Sequence, residues 1–139
     1  MTTWMIVEDE PDVYEMLLAM SEIMGNDGIA FVDGDEAIAW IEDVDNGQFH
    51  GELPDLALID ILLPSGISGA MVSERLRKSA ILGQVPIVLM TGFQLSDAEE
   101  GEVVAKAGAD LLIRKPLPAL AELQRTLERV IARRANPHP

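Results

Sequence analysis

The 139-residue chain has no cysteine, which excludes disulfide staples, thiolate metal sites and thiol catalysis. It also lacks an apolar run long enough to span a membrane. Its opening, MTTWMIVEDE, has neither the basic segment nor the apolar stretch of a signal peptide. A cytoplasmic protein without membrane insertion is expected. Lysine and arginine are missing from residues 1–74, which hold 17 acidic side chains, while all ten basic residues come later, against seven acids. The formal net charge of −14 argues against direct binding to DNA or to anionic membranes, because phosphates attract clustered Lys and Arg. An acidic pole of this kind is either a cation site or a solvated surface, and charge alone does not choose between them.

What is present is an alternation of short aliphatic runs with longer segments of helical period, at 48% apolar content, enough for one core and one domain spanning 1–139. The expected strands are Trp4 to Val7, Ile29 to Val32, Leu56 to Ile59, Pro86 to Met90 and Leu111 to Arg114. MIV, LALI and PIVLM are apolar throughout, as central parallel strands covered on both faces should be, and the other two suit outer positions. Val13, Met16, Leu17, Met20 and Met24 mark an amphipathic first helix, opened by Pro11 and stopped near Gly25 and Gly28. Further helices are expected over Asp35 to Val44, Met71 to Lys78, Ser96 to Ala107 and Pro118 to Arg134, with 46–54 a polar loop. Five strands alternating with five helices predict an α/β fold, a doubly wound five-stranded parallel sheet with helices on both faces.

In such a sheet ligands sit at the carboxyl ends of the strands. Strand one runs into Glu8 and Asp9, strand three into Asp60, strand four into Thr91 and strand five into Lys115. Singly, each residue is an ordinary helix cap, turn former or solvated charge. Together they would place three carboxylates, a hydroxyl and an ammonium in one small area, and the carboxylates would repel unless a hard cation, Mg²⁺, held them ionised.

The ordered set VEDEP, LALIDILLP, LMTG and GADLLIRKP resembles the response regulator receiver domains of two-component signalling, over about residues 4–132, with 135–139 a tail. The resemblance implies flavodoxin-like strand order 2-1-3-4-5 and a phosphoacceptor switch, not an enzyme beyond self-phosphorylation and self-dephosphorylation. Carried over, Asp60 is the acceptor of a phosphoryl group from a histidine kinase or histidine phosphotransfer protein. Asp9 and Asp60 bind Mg²⁺ directly, Glu8 through water, and Leu62 through its backbone carbonyl. Lys115 binds phosphoryl oxygens, Thr91 moves to the new phosphoryl group, and Gly92 leaves that approach open. The Lys115-Pro116 peptide is expected to be cis. The surface of the fourth helix, fifth strand and fifth helix would meet a downstream protein target or form homodimers.

Two departures stand out. Leu112 occupies a position that is usually aromatic, which weakens the usual coupling to Thr91, and the loop between Pro64 and Gly69 is one residue longer than common. Leu62 and Phe93 are apolar beside the place where a hydrolytic water would approach, so a long-lived acyl phosphate is expected. On the last helix Arg125, Arg129, Arg133 and Arg134 are expected to reach acids of the first. No output domain is expected after it, His50 and His138 carry no role, and Trp4 and Trp40 serve packing. Two rival readings remain: an interaction module that never sees phosphate, and a small magnesium-dependent phosphohydrolase of the haloacid dehalogenase type. The second would want an acid where Leu62 stands.

Overall fold

The computed structural model describes residues 3–136; His138 and the end of the tail lie outside them. The chain runs β1 (Thr3–Val7), α1 (Pro11–Ile23), β2 (Asp27–Phe31), α2 (Gly34–Asp45), β3 (Leu56–Asp60), α3 (Gly69–Lys78), β4 (Ile87–Thr91), α4 (Asp97–Ala107), β5 (Leu111–Arg114) and α5 (Leu120–Ala135). The strands form one parallel sheet in the order β2-β1-β3-β4-β5. Both the fold class and the strand order expected from the sequence are therefore present.

Strand side chains alternate between two apolar layers. Met5, Val7, Ala57, Ile59, Ile87 and Leu89 face α2, α3 and α4, whereas Trp4, Ile6, Leu56, Leu58, Val88 and Met90 face α1 and α5. Each fully buried aliphatic side chain contributes about 1.5–3 kcal/mol, so the three central strands anchor the fold. Helix starts are fixed locally: Asp33 caps α2, Ser68 caps α3, and Ser96 with Glu99 forms a capping box on α4. Trp40 packs between Phe31 and Phe49 at centroid distances of 5.6 and 5.3 Å, and Trp4 is buried in the opposite layer. Among the described residues no helix is long and apolar enough to cross a membrane.

At the amino end of the sheet Asp110 accepts from the Ile87 amide at 2.8 Å, from Arg77 at 3.0 Å and from Arg134 at 2.9 Å. Arg77 also reaches the carbonyls of Gly108, Gly83 and Val85. This corrects the expectation for the α5 arginines: Arg134 turns to Asp110, and among the described residues none of the four pairs with an acid of α1. The sequence reading also moves by a few residues at boundaries. α3 begins at Gly69 rather than Met71, α5 at Leu120 rather than Pro118, and β2 at Asp27 rather than Ile29. Asp110→Ala leaves the Ile87 amide and Arg77 without their shared acceptor. It should lower stability by about 1–3 kcal/mol, read as a lower urea midpoint at unchanged slope.

Candidate functional site

Parallel register brings the strand ends to one edge. Val7 lies beside Ile59 and Asp60 beside Met90, so Glu8 follows β1 at the level where β3 ends in Asp60 and β4 in Thr91. Lys115 follows β5, and its amide donates to the Thr91 carbonyl at 2.7 Å, tying the two strand ends together. The Lys115-Pro116 peptide is cis, in line with the sequence expectation. Gly69 opens α3 against the acceptor strand: its amide donates to the Ile61 carbonyl, and any Cβ there would overlap the Asp60 carbonyl oxygen. A glycine is therefore required for the close approach that sets the loop after Asp60.

The Lys115 ammonium lies 3.0 Å from Asp60 Oδ2, 3.0 Å from Glu8 Oε2 and 3.4 Å from Glu10 Oε1 at the rim. Asp60 Oδ1 accepts from the Leu62 amide at 3.3 Å, and Glu8 Oε1 accepts from the Glu10 amide at 3.1 Å. Glu8 is fully buried, Asp60 is 3% exposed, and Asp9 stands open to solvent. Thr91, also buried, uses its hydroxyl oxygen to accept from the Phe93 amide at 3.0 Å. Asp9, Glu10, Asp60 and Lys115 line a cleft of about 460 Å³ together with Leu62, Pro64 and Phe93.

Burial pushes the Glu8 carboxyl up from 4.5 to about 7, although Lys115 and the Glu10 amide pull the other way. For Lys115 burial opposes the charge, but Glu8 and Asp60 outweigh it and hold the ammonium well above its ordinary range. Glu8 Oε2 has the charge of Lys115 beside it yet is buried with no hydrogen bond in acceptable geometry. One carboxylate oxygen each from Glu8, Asp9 and Asp60 lies within 4.8 Å of the others. Three carboxylate oxygens this close together form an all-oxygen donor set that fits a hard divalent cation such as Mg²⁺.

All the side chains singled out from the sequence thus meet at this edge: Glu8, Asp9, Asp60, Thr91 and Lys115, with Leu62 two residues past Asp60. Sequence reasoning missed Glu10 at the rim and the tight role of Gly69. The run Glu8-Asp9-Glu10 was a visible signal for the first, and a glycine opening a helix for the second.

Comparison with known proteins adds the following. The family model for the response regulator receiver domain matches residues 4–128. Sensory transduction protein RegX3 of Mycolicibacterium smegmatis is 31% identical over 137 residues, which covers 98% of this chain and 53% of that protein. The chain spans about half the length of the curated relatives it matches. The receiver domain of a Pseudomonas aeruginosa sensor histidine kinase, solved with a magnesium ion coordinated in its active-site cleft, aligns at TM-score 0.76 and 27% identity, covering 94% of this chain and 98% of that one. The BeF3-activated N-terminal receiver domain of Klebsiella pneumoniae RstA aligns at TM-score 0.72 and 30% identity, covering 92% and 97%.

The Glu8 shift sets a pH dependence. The folded chain holds this proton more tightly than the unfolded chain, so metal-free stability falls as pH rises from 4.5 to about 7. A divalent cation binds the ionised form, so magnesium affinity should rise roughly tenfold between pH 6 and pH 8, and Glu8→Gln should flatten that rise. Calorimetric titration with MgCl₂ at several pH values reads both.

Proposed function

The chain belongs to the response regulator receiver domain family, and from that premise we propose that Asp60 accepts a phosphoryl group from a phosphohistidine and that the chain works as a phosphorylation switch in the cytoplasm. The carrying observation is the Lys115 ammonium 3.0 Å from both Asp60 and Glu8, in an open cleft with three carboxylates. A nucleophilic carboxylate beside a fixed cation is what acyl phosphate formation requires.

In this reading an Asp60 oxygen attacks phosphorus, the phosphorus–nitrogen bond breaks, and its electron pair returns to the imidazole of the donor, a histidine kinase or histidine phosphotransfer protein. Lys115 neutralises a phosphoryl oxygen from the position it already occupies against Asp60. Asp9, Asp60, the Leu62 carbonyl and, through water, Glu8 would hold Mg²⁺, which would supply the remaining charge neutralisation. Thr91 then exchanges its contact with the Phe93 amide for one to the phosphoryl group; a Cβ at the adjacent Gly92 would meet nothing within 4 Å, so that approach is open.

Leu112, partly buried against the layer that α2, α3 and α4 share, has no hydroxyl to re-pair and fills less space than an aromatic ring. The change at Thr91 therefore passes to β5 through the Lys115 amide bonded to the Thr91 carbonyl. The output is a protein contact made by the α4, β5 and α5 surface.

Acetyl phosphate with MgCl₂ should add the mass of one phosphoryl group. Asp60→Asn should abolish the gain, and a chelator should prevent it. Turnover of acetyl phosphate without an adduct would favour a phosphohydrolase, and no reaction at all would favour a phosphate-independent module. Leu62 and Phe93, 61% and 52% exposed at the mouth of the cleft, offer water no polar partner. Leu62→Gln combined with Phe93→Gln should speed loss of the adduct, followed by mass spectrometry after removal of the donor.

A further inference from the structure

Thr91 and Arg114 are partners in the parallel register of β4 and β5, at the carboxyl end of both strands. Leu112, two residues before Arg114, packs in the layer of α2, α3 and α4, and Ile113 in the layer of α1 and α5. Strand alternation therefore directs the Arg114 side chain to the α4 side of the sheet. There its guanidinium bridges the segment that joins β4 to α4. Nη2 donates to the Leu95 carbonyl at 2.9 Å, Nε donates to Glu100 Oε1 at 2.5 Å, and Nη2 lies 4.0 Å from Asp97 Oδ1.

These contacts act on the helix that the core holds least. α4 buries Ala107 alone, whereas α2 and α3 bury four residues each. Its apolar contacts with the sheet come from Val103 and Ala107, in its second half. Over residues 97–102 every position is exposed except Glu100, the one that Arg114 reaches. The capping box of Ser96 and Glu99 secures the helix start to itself and not to the sheet. Between Thr91 and that cap the chain is tied at Phe93, whose amide donates to the Thr91 hydroxyl, and at Leu95, whose carbonyl accepts from Arg114.

We infer that Arg114 is a positioning residue for the phosphoryl switch: by clamping Leu95 and the first turn of α4 it keeps the Thr91 hydroxyl on the Phe93 amide. The inference rests on the reading of Asp60 as phosphoacceptor for what opens the clamp. When Thr91 turns to the phosphoryl group it gives up the Phe93 amide, residues 92–95 shift, and the Leu95 carbonyl leaves the guanidinium. A contact made in one arrangement only biases the equilibrium towards that arrangement, so clamp and phosphoryl group oppose each other. This route from Thr91 to α4 does not pass through Leu112. A half-exposed ion pair adds little to overall stability, so the clamp biases one segment rather than bracing the fold.

Amide exchange and beryllofluoride binding on the full chain test it. In the unphosphorylated protein Arg114→Ala should speed exchange of the Phe93 amide about threefold or more and leave the β1 and β3 amides unchanged. With MgCl₂ present, beryllofluoride stands in for the phosphoryl group, and the same variant should bind it about threefold or more tightly, read from the Gly92 amide resonance. A residue that merely braced the fold would weaken that binding when removed. Arg114→Lys keeps the charge but not the fork of donors, and should fall between parent and Arg114→Ala. Glu100→Gln should act in the same direction as Arg114→Ala, and the two combined should fall short of additive. Unchanged Phe93 exchange in Arg114→Ala overturns the inference, as does full additivity with Glu100→Gln. So does beryllofluoride bound no more tightly by Arg114→Ala than by a parent that binds it. A parent that binds no beryllofluoride overturns the phosphoacceptor reading instead, and Phe93 exchange then decides the clamp by itself.

Discussion

The whole carboxyl edge depends on one charge arrangement, the Lys115 ammonium held against Asp60 and Glu8. Burial of Glu8 favours its protonated form, because ionisation in a poorly solvated place is costly. Lys115 prevents that only in part. Three carboxylates, Glu8, Asp9 and Asp60, face one ammonium, which leaves two negative charges, and a divalent cation carries the opposite amount. Glu10, exposed at the rim, is screened by water and changes this little. The raised Glu8 carboxyl is where the imbalance falls, since it is the most buried of the set.

Holding such a cluster requires a scaffold that needs none of it for stability. The three central strands are buried on both faces, and their apolar residues end where the polar ones begin. The amino edge carries its own closed network around Asp110 and Arg77, so strand order at that end does not rely on the acidic cleft. Among the described residues, the buried carboxylates Glu8 and Asp60 thus lie together at one edge.

Much of this was legible in the chain. The central strands showed themselves as unbroken aliphatic runs and the helices by their period. The site residues could be found because each stands at or just past the carboxyl end of a strand, and parallel pairing turns that sequence position into a shared edge. Less local features were hidden. β2 begins at Asp27 because backbone pairing with β1 recruits Asp27 and Gly28, whose side chains carry no apolar signal. The pairing of Arg77 with Asp110 spans 33 residues, and no spacing rule announces it. Arg134 was expected to reach α1, yet it lies at the end of α5 within reach of the β5 start, where Asp110 is already oriented by the Ile87 amide.

The separation of acids into the first half of the chain and bases into the second has two structural consequences of different kinds. At the carboxyl edge, β4 and β5 of the second half continue the sheet beside β3 of the first, so one late lysine enters a nest of early carboxylates and the opposite charges meet inside the fold. On the surface, Asp12, Glu15 and Glu22 of α1 and Arg125, Arg129 and Arg133 of α5 stay exposed, and among the described residues these arginines pair with no acid of α1. Burial decides the difference: a desolvated lysine is strongly drawn to its carboxylates, whereas solvated arginines gain little from reaching across to α1. The charge asymmetry that composition alone could not interpret therefore divides into an inner part that organises the cleft and an outer part that stays in solvent.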